Sequence, residues 1–210
     1  GVSAGFAWRP WRRGADWRFM KKFSSFPMVA AAVLAVSSAR AEEVVYAIDP
    51  VHSVVLLKVD HLGLADAYGR FNEMFGEVRY NEADPEKSSM NFEVKADSID
   101  TANEDRDKHL RGPDFFNAAE FPALTFKSTK VEKKGEKEFA VTGDFTVRGT
   151  TKPVTFDFEL GGTGKGMQGE DRFGGGADFT VKRSDFGIDY LPQALGDDVE
   201  VIVSLEGIKQ

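Results

Sequence analysis

The sequence predicts an all-β fold, either a closed antiparallel barrel or a sandwich of about eight or nine strands, interrupted by a short helical insert. Three observations support this. Between residues 44 and 207, apolar and polar residues alternate with a period of two, which is typical of strands with one buried face. Turn residues separate the alternating stretches, and one helical break, at about 101–113, interrupts them. Many consecutive strands with few helices indicate a barrel or a sandwich.

The alternating stretches can be followed in order along the chain. In the sequence MNFEVKA at 90–96, every second residue is apolar and the others are polar. The same pattern predicts strands at 44–48, 53–60, 69–80, 90–96, 123–131, 138–147, 154–160, 173–181 and 199–205. Turns are predicted at 84–87, 133–135, 148–150 and in the glycine-rich stretch 161–169.

A helical insert is predicted between the strands at 90–96 and 123–131. Thr101 and Glu104 have the spacing of a capping box, and Gly112 followed by Pro113 would end the helix that this box begins. We therefore expect one or two short helices that cover an edge or one end of the sheet.

Composition excludes several classes of protein. The chain has 210 residues, of which 41% are hydrophobic and 29% are charged, so it can bury a substantial core. It has no Cys, which excludes disulfides, thiolate catalysis and cysteine-ligated metal sites. Its 27 basic and 34 acidic side chains give a net charge of -7, and an acidic chain is a poor nucleic-acid binder.

The N-terminal part of the chain has the pattern of a secretory signal. Met20-Lys21-Lys22 forms a charged start, an apolar stretch follows at 27–36, and small residues precede a cleavage site after Ala41. Residues 20–41 are thus predicted to be a signal peptide, and residues 1–19 a non-native or mis-started leader. The remaining domain, 42–210, carries 20 basic and 33 acidic residues, and no stretch in it is long and apolar enough to anchor it in a membrane.

Catalytic and metal-binding motifs receive little support. His52 and His61 bracket one predicted strand, so they should lie far apart and on opposite faces, while His109 falls in the helical insert. A structural or binding role is predicted for each, and a metal-binding protein or enzyme built on these histidines is the alternative. The G-x-G-x-x-G sequence at 164–169 is followed by a strand pattern, which indicates a hairpin rather than a phosphate-binding loop.

The side chains predicted to face the interior differ widely in size. Fourteen of the 18 Phe residues follow residue 41, and many of them occupy inward positions. Gly143, Gly175 and Ala177 also occupy inward positions, where a filled core would need larger side chains. These small residues either leave room for a ligand or bend strands at barrel corners, and the sequence leaves both readings open.

Several ordered motifs resemble the YceI-like family. They include YAIDPVHS at 46–53, HLG at 61–63, GRF at 69–71, DRDKHLR at 105–111, DFFN at 114–117, TGDFT at 142–146, GTTKPV at 149–154 and KRSDFG at 182–187. The resemblance covers about residues 44–208. It implies a lipocalin-like barrel of eight antiparallel strands in a periplasmic protein that binds a long isoprenoid or similar amphiphilic lipid in an interior tunnel.

The resemblance also implies that the protein is not an enzyme, uses no cofactor and can form a homodimer. Position parity predicts that His61 points inward, where it could meet a polar lipid head group. Arg106, His109 and Asp114 are expected to hold the insert in place. The predicted tunnel lining is Val55, Leu57, Val59, His61, Phe71, Phe92, Phe126, Phe145, Phe156, Phe158 and Phe179.

Overall fold

The structure is a computed structural model that describes residues 43–210. It contains one α-helix, α1 (Glu104–Leu110), and three short 3₁₀ turns at Pro85–Lys87, Ala96–Ser98 and Arg183–Phe186. The strands are β1 (Val44–Ile48), β2 (Val54–His61), β3 (Ala65–Phe71), β4 (Met74–Tyr80), β5 (Ser89–Lys95), β6 (Ile99–Asp100), β7 (Ala123–Lys133), β8 (Glu138–Val147), β9 (Thr150–Lys165), β10 (Asp171–Lys182) and β11 (Leu195–Lys209). The predicted leader and signal peptide lie outside the described residues.

The strands form a closed barrel with eight strand positions. β1 and β2 pair with successive parts of β11, so together they form one barrel strand that is broken in the middle. β3 and β4 form a second broken strand in the same way, and β5 and β6 form a third. All pairings are antiparallel, and the ring closes where β1 and β2 pair with β11 on one side and with β4 and β3 on the other. The prediction of an eight-stranded antiparallel barrel is therefore confirmed, and the sandwich is excluded.

One predicted strand is divided in the structure. The prediction of a single strand over 69–80 was wrong, because β3 ends at Phe71 and β4 begins at Met74. The backbone between them faces the break between β5 and β6: Asn72 N donates to Ser98 O and Lys95 N donates to Glu73 O. The two breaks thus lie side by side and keep their backbone groups hydrogen-bonded while both strands bend.

One end of the barrel is filled by side chains. Val78 and Val141 are completely buried, and the ring of Phe173, only 2% exposed, packs against the rings of Tyr46 and Phe158. Towards the other end, inward residues such as Leu57 and Val59 of β2 and Phe179 and Val181 of β10 are only half-buried, even though they face the inside of the barrel. The barrel is therefore packed at one end and hollow towards the other.

The inward glycines accept aromatic rings from adjacent strands. A Cβ on Gly143 would lie 2.5 Å from Cζ of Phe126, and a Cβ on Gly175 would lie 2.3 Å from Cζ of Phe158. The interpretation that these glycines accompany strand bends is supported, because the pairing register shifts at Gly174/Gly175 and, opposite Gly143, between Ser128 and Lys130. The space beside them is occupied by the protein's own phenylalanines. Ala177, in contrast, is buried at the wall of an internal cavity.

The helical insert forms, but its cap differs from the prediction. The N-cap of α1 is Asn103, whose side chain accepts a hydrogen bond from Arg106 N at 3.0 Å. Thr101, the predicted cap, instead donates its hydroxyl to the buried carboxylate of Asp107 at 2.5 Å. The capping-box assignment was wrong because a carboxylate later in the helix binds both the N–H and the hydroxyl of Thr101.

Candidate functional site

The hollow end of the barrel contains a cavity of about 660 Å³, called here the outer cavity. Its wall combines residues of β2, β3, β6, β7, β8, β10 and β11 with the insert and the segment after β10. Most of the side chains that line it are apolar. They include Leu57, Val59, Ala65, Ala67, Ile99, Leu110, Phe115, Phe116, Leu124, Phe145, Val147, Val181, Phe186, Ile188, Leu191, Ala194, Leu195, Val199 and Val201.

An unpaired strand edge borders the outer cavity. Residues Ala65, Ala67 and Gly69 of β3 pair with β2, but on the other side β3 pairs with β6 only at Arg70 and Phe71. These three residues are small, and all of them line the cavity. At Gly69 the start of the insert packs closely on β3, since a Cβ there would lie 3.1 Å from Cγ2 of Thr101. We therefore expect the mouth of the cavity at Ala65 and Ala67, where the side chains are short and the strand edge is unpaired.

A segment at 188–195 covers the outer cavity and is held by one buried cation. The side chain of Arg183 is 7% exposed and donates to four backbone carbonyls. Its Nε bonds to Gly196 O at 2.8 Å, and its terminal nitrogens bond to Ile188 O, Tyr190 O and Leu195 O at 3.0, 2.8 and 3.1 Å. The planar guanidinium thus links both ends of this segment through hydrogen bonds to their carbonyl groups.

The insert is fastened to the barrel and to the 188–195 segment by polar and aromatic contacts. Arg106 donates to the hydroxyl and the carbonyl of Thr101, both at 2.7 Å. Nε2 of His109 lies 2.9 Å from a carboxylate oxygen of Asp114, and its ring meets those of Phe115 and Tyr190 edge-on. The expectation that Arg106, His109 and Asp114 hold the insert in place agrees with these contacts.

A second, smaller cavity lies deeper in the barrel and is called here the inner cavity. Its volume is about 70 Å³, and phenylalanine rings form much of its wall. The rings of Phe156 and Phe179 are stacked with centroids 4.8 Å apart, and Phe126 lies 5.2 Å from Phe156. Since almost every lining side chain is apolar, the inner cavity suits hydrocarbon better than water.

The predicted lining residues all reach one of the two cavities. Val59 and His61 line the outer cavity, and Leu57 and Phe145 line both. The others line the inner cavity: Val55, Phe71, Phe92, Phe126, Phe156, Phe158 and Phe179. That these residues contact a ligand remains a prediction.

The sequence reasoning missed much of the outer wall. It did not include the small residues of β3, the apolar residues of the insert or the 188–195 segment. The alternation of Ala65, Ala67 and Gly69 was a usable signal, because three small residues on one face of a strand imply space. The contributions of Phe115, Ile188 and Leu191 carry no periodic signal, because these residues lie outside regular strands.

The three histidines are not brought together. His52 precedes β2 and His61 ends it, so they lie at opposite ends of that strand. His61 and His109 line the outer cavity, whereas Nδ1 of His52 lies 2.8 Å from Oδ2 of Asp49. This separation agrees with the prediction that the three do not form one metal site.

Asp49, His52 and Glu206 are close enough to one another to be considered as a metal site. A guanidinium nitrogen of Arg172, however, donates to Asp49 and to Glu206 at 2.8 Å each. The contact with His52, followed by that with Arg172, lowers the pKa of Asp49 to about 2. The group is thus an ion-pair cluster that joins the end of β1 to β10 and β11, in which Arg172 already pairs with two of the three candidate ligands.

Within residues 43–210, no helix combines the length and the apolar character needed to cross a membrane.

Solved structures share this architecture. BcnA of Burkholderia cenocepacia superposes with a TM-score of 0.70 at 21% identity, covering 76% of this chain and 98% of that one. A YceI protein of Campylobacter jejuni gives a TM-score of 0.66 at 30% identity over 72% of this chain and 90% of that one. A polyisoprenoid binding domain from Saccharophagus degradans gives 0.63 at 13% identity, covering 79% and 98%. The first and third likenesses concern the fold alone.

Comparison of sequences gives the family. A UPF0312 protein of Pectobacterium atrosepticum is 35% identical over 192 residues, which cover 91% of this chain and 100% of that protein. Protein YceI of Salmonella arizonae is 38% identical over 159 residues, which cover 76% of this chain and 83% of that protein. The family model described as the YceI-like domain matches residues 46–207, which is nearly all of the barrel. The chain therefore belongs to the YceI-like family.

Proposed function

We propose that this protein is a non-enzymatic carrier that encloses a long isoprenoid lipid, of the polyprenyl or isoprenoid quinone class, in its barrel. The outer cavity is the observation that carries the proposal. It is a space of about 660 Å³ with mostly apolar walls, and an unpaired strand edge borders it. A barrel with a filled core would have no such space, so the internal void argues against a simple scaffold that binds partners only through its surface.

The volume and chemistry of the outer cavity fit such a ligand. Small-molecule sites usually enclose about 300–1,000 Å³. Each buried methylene contributes about 0.8 kcal/mol, so a five-carbon isoprene unit contributes about 4 kcal/mol without any polar contact. Among the polar side chains at this cavity, His61 is the one that we expect to meet a head group, because Thr101 and Arg106 are hydrogen-bonded to each other. A polyisoprenoid binding domain from Saccharophagus degradans has the same fold, so this barrel architecture can accommodate such a ligand.

The alternative, a metal-binding protein or enzyme built on the histidines, has less support. His52 lies apart from His61 and His109, and Arg172 pairs with Asp49 and Glu206 of the cluster that includes His52. We therefore propose that the bound lipid is a ligand and that the protein needs no cofactor. Metal analysis of the gently purified protein tests this: stoichiometric metal that is lost in His52→Ala or His109→Ala would contradict it.

Analysis of the co-purifying lipid tests the main proposal. The protein, purified without detergent, is extracted with organic solvent, and the extract is examined by mass spectrometry. We expect an isoprenoid lipid at close to one molecule per protein. If no lipid co-purifies and added isoprenoid quinone does not bind at a stoichiometric ratio, the proposal is wrong.

A variant that fills the outer cavity sharpens this test. Ala67 points into the cavity from β3, so Ala67→Trp should occupy the space and greatly reduce the bound lipid. Thr180→Trp is the matched control. Thr180 lies on the exposed face of β10, so this substitution adds the same side chain outside the barrel. Equal lipid content in the two folded variants would contradict a role for this cavity.

The proposed site of action is the bacterial periplasm, with cleavage after Ala41. The support is the signal pattern in residues 20–41. The intact mass of the protein recovered from the periplasmic fraction should correspond to a chain beginning at Glu42. A homodimer remains an expectation from the family resemblance, and sedimentation of the lipid-loaded protein tests it.

A further inference from the structure

The outer and inner cavities meet at a common set of wall residues. Leu57, Leu124, Phe145 and Val201 line both cavities. They come from β2, β7, β8 and β11, so they approach the interior from different sides of the barrel. We call these four residues the constriction, because they are the place where the 660 Å³ space gives way to the 70 Å³ space.

The constriction is one layer in a regular series along the barrel. On β2, Val59 lines the outer cavity, Leu57 lines both and Val55 lines the inner one. On β11, Val199 lines the outer cavity, Val201 lines both and Val203 the inner one. Each step covers two residues, which is roughly 5 Å along the barrel axis for strands tilted by about 40°. The layers are therefore spaced on the scale of an isoprene unit.

Phe145 is the largest side chain of the constriction, and its ring is held from two sides. Its centroid lies 6.1 Å from that of Phe179 and 5.5 Å from that of Phe186, and both contacts are edge-on. Phe186 lines the outer cavity and Phe179 the inner one. The ring thus stands at the junction of the two spaces. It is also only half-buried, which is expected for a side chain that borders open space.

We infer that Phe145 determines the length of the isoprenoid tail that this protein accepts. The tail fills the outer cavity and its end meets the ring of Phe145, which keeps it out of the inner cavity. A longer tail must either displace the ring or leave its excess units in water at the mouth. This inference rests on the proposed function, because it concerns the selectivity of the same site.

The test compares tail length preference in two matched variants. Phe145→Ala removes the ring and joins the cavities. Phe156→Ala removes an equally large, half-buried ring that lines the inner cavity only, so it enlarges that space without opening the constriction. The probes are the all-trans prenyl alcohols geraniol, farnesol, geranylgeraniol and solanesol, whose dissociation constants are measured by native mass spectrometry and competition with each variant of the full chain.

We expect the preferred length in Phe145→Ala to increase by at least one isoprene unit, with about a tenfold gain for that longer alcohol relative to the original optimum. Phe156→Ala should keep the wild-type preference. Phe145→Leu, a smaller change, provides a folded alternative and should shift the preference in the same direction.

An unchanged length preference in Phe145→Ala and Phe145→Leu, with binding retained, would overturn the inference about Phe145. So would an equal shift in Phe156→Ala. Failure of the wild-type protein to bind any of the prenyl alcohols would instead overturn the proposed function, so the two failures are distinguishable.

Discussion

Replacement of Arg183 by lysine should loosen the segment that covers the outer cavity. The arginine uses three nitrogens to donate to four carbonyls, those of Ile188, Tyr190, Leu195 and Gly196. Lysine keeps the positive charge but has one nitrogen, so two or three of these carbonyls lose their donor. Each buried polar group left without a partner costs about 1 kcal/mol or more. The expected loss in the free energy of unfolding is therefore about 3 kcal/mol.

Two measurements test the effect of Arg183→Lys. Urea unfolding monitored by circular dichroism gives the loss of global stability. Hydrogen exchange reports on the covering segment itself: the amides of Ala194 and Leu195 both donate to Leu191 O, and that of Leu62 donates to Ala194 O. We expect these three amides to exchange faster in Arg183→Lys, and the bound lipid to dissociate faster, because the cover opens more often.

The control is Lys182→Met, which removes the neighbouring cation. Lys182 is exposed and pairs with Asp198 across the outer surface of β10 and β11, so its loss should leave exchange of the covering segment unchanged. The reasoning would be refuted by two results together. The free energy of unfolding of Arg183→Lys would differ from that of the wild type by no more than about 0.5 kcal/mol, the usual range for surface substitutions, and the amides of Ala194 and Leu195 would exchange at unchanged rates.

Two further predictions concern the packed part of the barrel. Because the folded-state pKa of Asp49 is about 2 against an ordinary 3.8, its ionised form stabilises the fold by about 2 kcal/mol above pH 4, and this contribution is lost as the pH falls towards 2. Asp49→Asn should therefore be less stable than the wild type at pH 7 in chemical unfolding, and a gap that stays constant down to pH 2 would contradict the ion-pair account. Gly175→Ala should cost about 2 kcal/mol because its Cβ would lie 2.3 Å from Cζ of Phe158, whereas Gly164→Ala, with no atom within 4 Å, should unfold like the wild type.

The strand pattern predicted the wall of the barrel well. Alternation identifies which side of a strand is buried, and that property depends only on local sequence. All eleven residues predicted to line the tunnel accordingly face one of the two cavities. The position of the strand break at Asn72 and Glu73 was missed, because it depends on hydrogen bonds to Lys95 at the end of β5 and to Ser98 in the turn that follows β5.

The helical insert shows a different limit of sequence reasoning. The presence of a helix and its end near Gly112 were predicted, but Thr101 was assigned as the cap in place of Asn103. Both residue types cap helices well. The choice between them was made by Asp107, which binds Thr101 and leaves Asn103 at the helix start.

The sequence by itself determined the all-β class, the inward faces of the strands and the family of this protein, because period-two patterning and ordered motifs can be read locally. Only the tertiary structure decided where the barrel is hollow. An inward position is filled or empty according to which rings reach it from neighbouring strands: Phe158 occupies the space over Gly175, whereas Ala67 borders the open cavity. The cover of that cavity likewise depends on Arg183 binding carbonyls that lie outside any strand pattern.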